Sequence, residues 1–316
     1  MILAAGYGER MLPLSSTLPK PLLPVLGTAL LEVTAAKLAR CGALETHCNL
    51  FHLPDAIEGH AKRAGLEIAF HRERELLGTG GGIGNMADAV AGFDATLLMN
   101  GDVLCDADYA PALSFHEARG ALVTLVLAPP GPRANVLVGD DGAIVAIGES
   151  AEAAGAHGTS LGYTGLAILS RESLAFFPRG ARMGLVPILT GMIRERPGSV
   201  RGYDLSASGA PFAWGETGSP GGYLDIHRRI LVDKTRFDPL LEPPPLPLHV
   251  GDGASVDPGA RWSGFLDVGP RAVVGRGAIL ESCVVLEGAE VRANARHANE
   301  IVFRGGSLRE TEGEEP

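Results

Sequence analysis

The side chains that could do chemistry begin at the start of the chain. Ile2-Leu3-Ala4-Ala5-Gly6-Tyr7-Gly8-Glu9-Arg10 is a short apolar run that breaks into a Gly-x-Gly turn, and Pro19-Lys20-Pro21-Leu22 follows it. After Leu3, the small residues Ala4, Ala5, Gly6 and Gly8 let backbone N–H groups approach an anion closely, and Arg10 and Lys20 stand nearby as cations. Such a loop suits a polyphosphate. It lacks G-x-x-x-x-G-K-[ST], and Met11 stands where the dinucleotide fingerprint needs its third glycine, so neither common phosphate motif applies. An ordinary strand-to-helix turn with surface cations accounts for the glycines, but not for the Pro-Lys-Pro.

A second chemical position is Asp102, which follows Asn100-Gly101 at the end of an apolar run. Open α/β sheets bind ligands at that edge, and a carboxylate there suits a Mg²⁺ held jointly with substrate phosphates. The bland reading is a capping Asp at a strand-to-helix turn. Asp106 and Asp108 come next, and Asp108 is placed to cap the following helix. The nine histidines show no H-E-x-x-H and no ligand spacing. Cys41, Cys48, Cys105 and Cys283 form no C-x-x-C pair and are too few for a disulfide framework, so they read as reduced thiols.

These groups need a scaffold, and the chain has the material for one. Its 316 residues, 46% hydrophobic and 20% charged, exceed the usual single-domain size and predict two domains. A net charge of −10 argues against a nucleic-acid or membrane-surface binder, which needs a basic face. No apolar run of ~18 residues is present to span a bilayer, and the start has no signal-peptide pattern, which points to the cytoplasm. Met1, Ile2 and Leu3 alone precede the alanines, short for a buried first strand, so the start is expected to lie upstream.

From residue 1 to 232, short apolar runs alternate with amphipathic segments, which predicts an α/β sandwich. Strands are expected at 44–51, 67–70, 95–99, 122–127, 143–147 and 165–169, and helices at 29–41, 54–64, 81–91, 108–118, 185–195 and 221–232. Residues 233–248 are proline-rich and read as a stiff linker. Beyond it Val250, Val256, Trp262, Val268, Val274, Leu280 and Leu286 recur every six residues, and the first six are followed four residues on by Ala254, Ala260, Leu266, Ala272, Ala278 and Val284. That hexad predicts a left-handed parallel β-helix over 249–304, fading after Glu290. Residues 305–316 are expected to be a disordered acidic tail.

The string LAAGYGERMLPLSSTLPKPLLPV resembles the signature of the sugar-1-phosphate nucleotidylyltransferases, L-A-A-G-x-G-x-R followed by P-L-T and P-K-P-L. Leu77-Gly78-Thr79-Gly80-Gly81-Gly82, Leu98-Met99-Asn100-Gly101-Asp102 and Trp214-Gly215-Glu216-Thr217-Gly218-Ser219-Pro220 with Tyr223 fit the same family in order. The resemblance covers residues 1–232, and the hexad repeat extends it. It implies a Rossmann-like mixed sheet sandwiched by helices, of nucleotide-diphospho-sugar transferase type, followed by the short β-helix.

It also implies the reaction: a nucleoside triphosphate and a sugar 1-phosphate give a nucleotide-sugar and pyrophosphate, with Mg²⁺. By the resemblance Arg10 grips the triphosphate, Lys20 bridges the reacting phosphates, and Leu3 to Gly6, Gly8, Thr79, Gly80 and Gly81 bind the nucleotide. Asp102 and Glu216 are the metal positions, with Glu216 where the family carries aspartate. Glu149 and Gly165 fall to the sugar, although Gly148-Glu149-Ser150 lacks the lysine of the family's Glu-Lys-Pro. The cues for base and sugar conflict: T-G-G-G-I resembles N-acetylmuramate 1-phosphate uridylyltransferases and heptose 1-phosphate guanylyltransferases, whereas the hexad tail resembles mannose-1-phosphate guanylyltransferases. Two other classes stay open, a non-catalytic regulatory subunit on the same fold and a glycosyltransferase using Asp102 and Asp106. Coil ends and flat faces of a β-helix favour packing against the catalytic domain or a homo-oligomer.

Overall fold

A computed structural model describes residues 1–129, 135–148 and 158–309, and not the side chain of Ser208. Two compact units emerge, and they cut across the expected boundary near residue 232. The first comprises Met1–Gly6, Thr34–Gly101 and Ala107–Phe212; the second comprises Tyr7–Val33, Asp102–Asp106 and Ala213–Pro316.

The first unit is a mixed sheet with helices. Numbered along the whole chain, its strands are β1 (Ile2–Leu3), β4 (His47–Leu50), β5 (Ala69–Arg72), β6 (Ala95–Asn100), β8 (Val123–Ala128), β9 (Val136–Val138), β10 (Ile144–Ile147), β11 (Thr159–Ser170) and β12 (Val200–Asp204). The order is β10-β9-β11-β6-β1-β4-β5, with β8 pairing β11 and β12. β1 runs parallel to both β4 and β6, while β11 runs antiparallel to β6 and β8. Every residue of β8 is buried, as its unbroken apolar run requires of a strand covered on both faces. The helices are α1 (Leu30–Arg40), which belongs to this unit from Thr34 onward, α2 (Pro54–Arg63), α3 (Gly78–Val90), α4 (Ala110–Arg119) and α5 (Leu185–Glu195). Ile83, Met86 and Val90 of α3 join Leu98, Leu125, Phe177, Leu189 and Met192 in the core.

The helix α3 starts at Gly78, not Gly81, so the glycine run is helical. Its glycines have a packing reason. A Cβ on Gly81 would lie 2.3 Å from the Ala181 carbonyl oxygen, and one on Gly84 would lie 2.1 Å from that of Pro178. Only a helix face without side chains admits a backbone this close. The short strands β9 and β12 were not expected from the sequence, because neither offers a long enough apolar run.

The second unit holds the hairpin β2 (Pro24–Val25) and β3 (Thr28–Ala29), the antiparallel pair β7 (Val103–Cys105) and β13 (Trp214–Glu216), and the helix α6 (Pro220–Leu231). A stack of parallel strands follows. β14 (Leu248–Val250), β16 (Arg261–Val268), β18 (Ile279–Val285), β20 (Arg296–Ala298) and β21 (Glu300–Phe303) form one face, and β15 (Ser255–Val256), β17 (Val273–Val274) and β19 (Glu290–Val291) another. Leu248 pairs with Leu266 and Ser255 with Val273, a register of eighteen residues, three hexads per coil.

The repeat does not fade after Glu290; it slips by one residue. A bulge between Ser263 and Leu266 makes the next coil shorter, so Val274 pairs with Val291. Val285, Ala289, Val291 and Val302 then continue the buried interior. β22 (Gly306–Arg309) pairs antiparallel with β21, so these four residues of the expected tail are a strand; residues 310–316 lie outside the described residues. The proline-rich segment also differs from a solvated spacer. Phe237 and Leu241 are fully buried with Met11, Leu14 and Tyr223, and the Lys234 ammonium donates to the Leu231 and Pro244 carbonyls. Each such apolar side chain contributes ~1.5–3 kcal/mol on burial, which holds the segment against its unit.

Candidate active site

In the second unit, residues 9–22 form three consecutive 3₁₀ turns, Glu9–Met11, Leu14–Ser16 and Lys20–Leu22. Met11 and Leu14 are buried and pin the segment, with Arg10 immediately before the first of these fixed points. Gly8 has φ of 71°, which favours glycine, and its carbonyl accepts from the Ser15 hydroxyl at 2.8 Å. A Cβ on Gly8 would sit 3.1 Å from the Lys20 Cγ, so the lysine stem lies along this glycine.

Lys20 reaches Asp102, with Nζ 3.5 Å from Oδ2. The Thr217 amide and hydroxyl both donate to the Asp102 carbonyl at 2.9 Å, extending the β7–β13 ladder and fixing the Asp102 backbone. The next residue, Gly218, marks where the charged groups meet. A Cβ built there would lie 2.8 Å from Arg10 Nη2, 2.9 Å from Asp102 Oδ2 and 3.3 Å from Lys20 Nζ. Ser219 caps α6 by accepting from the Gly222 amide at 3.2 Å, and the Tyr223 hydroxyl donates to the Pro24 carbonyl, just beyond the Lys20 turn. Two cations and a carboxylate on rigid supports can grip and screen phosphates.

Sequence reasoning did not name Thr217 and Gly218 as members of the site. The signal for Gly218 was the glycine in Trp214-Gly215-Glu216-Thr217-Gly218. Asp106 has structural work: its carboxylate accepts from the Ala213 amide at 2.6 Å, and its own amide donates back to the Ala213 carbonyl at 3.1 Å. Asp108, expected as the cap of α4, lies one residue ahead of that position: the N-cap is Tyr109, and the Asp108 carboxylate accepts from the Ala110 amide at 3.0 Å in the turn that leads in. Among the described residues no three His, Cys, Asp or Glu side chains cluster to hold a metal. Mg²⁺ is commonly held by one or two carboxylates plus substrate phosphates, and Asp102, with Glu216 opposite Val103 on β13, supplies hard oxygen donors of that class.

In the first unit, Ala4 and Ala5 are buried, and the Ala4 amide donates to Asn49 Oδ1 at 2.8 Å. Gly6 faces open space, with nothing within 4 Å of an added Cβ. The Gly80 and Gly81 amides both donate to the Met183 carbonyl, at 2.9 and 3.1 Å, so these two expected nucleotide contacts spend their N–H groups inside the protein. Gly165 has φ of 81° at a bulge in β11. Glu149 and Ser150 lie outside the described residues. A cavity of about 690 Å³ lined by Leu38, Cys41, His47, Thr96, Tyr109 and Leu113 includes none of the candidate site residues.

Residues 1–135 match the nucleotidyl transferase family. A mannose-1-phosphate guanylyltransferase of Mycobacterium tuberculosis is 31% identical over 305 residues, spanning 93% of this chain and 81% of that protein. The chain belongs to the sugar-1-phosphate nucleotidyltransferase family. Other relatives differ in substrate. A UTP–glucose-1-phosphate uridylyltransferase of Synechocystis is 25% identical over 96% of this chain and 86% of its own length. An N-acetylmuramate alpha-1-phosphate uridylyltransferase of Neisseria meningitidis is 34% identical over 62% of this chain and 85% of its own length. The crystal structure of HddC from Yersinia pseudotuberculosis shares the fold, with a TM-score of 0.58 at 21% identity over 71% of this chain and 95% of that one. In this chain Arg10 and Lys20, the two cations singled out near its start, meet Asp102 at Gly218.

Proposed function

We propose that this nucleotidyltransferase makes a nucleotide-sugar and pyrophosphate from a nucleoside triphosphate and a sugar 1-phosphate, with GTP and mannose 1-phosphate as its preferred pair. The observation that carries the reading is the convergence of Arg10, Lys20 and Asp102 around Gly218. The choice of GTP and mannose rests on the similarity to the mycobacterial guanylyltransferase, which runs through the C-terminal coils. The glycine run that hinted at a uridylyltransferase has a packing explanation, so it carries little weight for the base.

A phosphate oxygen of the sugar attacks the α-phosphorus in line, a new P–O bond forms, and the bond to the β-phosphate oxygen breaks to release pyrophosphate. Both reactants are anions, and unit charges 4 Å apart repel by roughly 4 kcal/mol at an effective dielectric near 20. Arg10 grips the triphosphate and Lys20 bridges the phosphates that react, so the protein's task is positioning and charge screening. Asp102 and Glu216 would hold Mg²⁺, which when bound neutralises phosphate charge. Leu3 to Gly6, Gly8 and Thr79 bind the nucleotide, and by the family resemblance Glu149 and Gly165 are assigned to the sugar.

We further infer that the C-terminal stack is a left-handed parallel β-helix, supported by its eighteen-residue register, and that it serves packing or self-association. No helix among the described residues is long and apolar enough to cross a membrane, in keeping with a cytoplasmic site of action.

The test is a grid of nucleoside triphosphates against sugar 1-phosphates, read by pyrophosphate release. GTP with mannose 1-phosphate is expected to give the highest kcat/KM. A higher value for UTP with an amino-sugar 1-phosphate would reassign the substrate, and binding without turnover for every pair would favour a regulatory subunit.

A further inference from the structure

Two backbone amides far apart in sequence are the ends of one buried hydrogen-bond chain in the first unit. The Ala4 amide donates to Asn49 Oδ1 at 2.8 Å, Asn49 Nδ2 donates to Glu73 Oε1 at 2.7 Å, and the Leu77 amide donates to Glu73 Oε2 at 2.9 Å. Asn49 and Glu73 are 3% and 8% exposed, so water does not substitute for these bonds. The packing around the chain is equally specific. A Cβ on Gly82 would lie 2.5 Å from Asn49 Nδ2 and 3.0 Å from Glu73 Oε1, so glycine there leaves the room both side chains occupy.

The chemistry of the chain is fixed by its ends. Both ends are N–H donors, so one central group must accept on one side and donate on the other, and the second must accept on both. An amide followed by a carboxylate is the arrangement present. Ala4 begins the small-residue backbone that opens onto Gly6, and Leu77 immediately precedes Gly78-Thr79 at the start of α3. Glu73 is itself anchored, its amide donating to the Leu50 carbonyl at 2.7 Å beside Asn49.

We propose that Asn49 and Glu73 are positioning residues that lock the phosphate-binding backbone at Ala4–Gly6 to the nucleotide-binding segment at Leu77–Thr79, so that the nucleoside triphosphate meets a preformed surface. The proposal rests on the nucleotide-binding reading of those two segments given above. Neither side chain touches substrate. Their effect falls on the cost of ordering the two segments when the nucleotide binds.

Substitutions that change only donors and acceptors test this. Glu73→Gln replaces one acceptor by a donor, so a donor must face a donor at Leu77, at Asn49 or, if Asn49 turns over, at Ala4. Asn49→Asp sets a carboxylate against a carboxylate. The double variant N49D/E73Q completes the chain in the opposite sense: Asp accepts from Ala4 and from the Gln amide, and the Gln oxygen accepts from Leu77.

Each single variant is expected to raise KM for the triphosphate by roughly tenfold or more, the effect of one mismatched buried contact, donor against donor in E73Q and acceptor against acceptor in N49D, with kcat and the KM for sugar 1-phosphate much less affected. Each should also speed amide hydrogen exchange at Ala4 and Leu77. The double variant should return both readouts close to wild type. If the single variants do not fold, a folded double variant with wild-type KM and exchange carries the same support. A double variant that is unfolded, or no better than the worse single variant, overturns the proposal, as does E73Q with unchanged exchange. If the wild-type protein releases no pyrophosphate, the nucleotidyl-transfer reading fails on its own, and the exchange readout still decides the hydrogen-bond chain.

Discussion

Replacing Gly218 by alanine adds one methyl group at the point where three charged side chains meet. That Cβ would stand 2.8 Å from Arg10 Nη2, 2.9 Å from Asp102 Oδ2 and 3.3 Å from Lys20 Nζ. Carbon contacts relax near 3.5 Å, so Arg10 and Asp102 must each withdraw by ~0.6–0.7 Å. Gly218 is not in the left-handed region, and the atoms displaced are the ends of flexible side chains, so the backbone tolerates the change. The stability cost is offset by ~0.4–1 kcal/mol from the lower freedom of the unfolded alanine chain. Catalysis is less forgiving, since a misplacement of about 1 Å can cost on the order of 100-fold. The expected result is a fall in kcat/KM for pyrophosphate release of roughly 10- to 100-fold, about 1.4–2.7 kcal/mol in barrier, with a melting temperature within ~2 °C of wild type. Gly191→Ala is the control, because Gly191 lies in α5 with nothing within 4 Å of an added Cβ; it should keep full activity and raise the melting temperature. Unchanged kcat/KM in Gly218→Ala, or a loss of activity matched by unfolding, would refute the convergence of these charges as the working site.

Lys20→Ala and Asp102→Ala should each lower turnover by on the order of 100- to 1000-fold, ~2.7–4 kcal/mol, as losing one placed stabilising group does elsewhere. Their side chains are only 16% and 27% exposed, so losing one partner should also lower the melting temperature; parallel kinetics and melting curves separate the fall in turnover from that loss. Glu216→Asp shortens the side chain by ~1.5 Å and should change the Mg²⁺ concentration needed for half-maximal rate; an unmoved titration would make Glu216 structural. Stability should depend on pH through Asp267, whose Oδ2 is 3.0 Å from His227 Nε2 and whose Oδ1 is 2.7 Å from His249 Nδ1. Burial alone would raise the Asp267 carboxyl, but the two histidine contacts outweigh it and hold it at about 2. Its contribution, on the order of 2 kcal/mol, is present above the ordinary carboxylate value near 3.9 and is lost as pH falls toward 2. The Asp267 hydrogen bond raises His249 despite burial, and Asp252 adds to it, so that contribution is full below ~6.5 and is lost as pH rises through the raised value. Melting temperature against pH should therefore form a plateau between about 4 and 6.5, and Asp267→Asn should lower and flatten it.

The alternation of strands and helices was legible where an element of the first unit carries its own apolar period, as the unbroken run of β8 does, and was missed at β9 and β12, which do not. What escaped sequence reasoning was set by partners distant in the chain. The glycines of α3 looked like a ligand loop, but their reason is the carbonyls of Pro178, Ala181 and Met183 crossing the helix. Prolines made residues 233–248 look like a stiff linker, whereas Phe237 and Leu241 decided the outcome by burial. A one-residue bulge near Gly264 shifted the hexad phase and hid the last coil. At the site, the residue types of Arg10, Lys20 and Asp102 were readable in the motifs, but the ion pair between Lys20 and Asp102 and the crowding at Gly218 exist only once β7 and β13 are paired. His227, Asp267 and His249 had no telling spacing, because α6 and two coils bring them together.

The most direct test of nucleotidyl transfer follows the α-phosphorus. With GTP labelled at its α-phosphate and mannose 1-phosphate, the label should appear in a nucleotide-sugar in equal amount to the pyrophosphate released, and Lys20→Ala should slow both alike, by on the order of 100- to 1000-fold. Pyrophosphate release without sugar 1-phosphate, or no labelled nucleotide-sugar from GTP or any other triphosphate with any sugar 1-phosphate, would contradict the account.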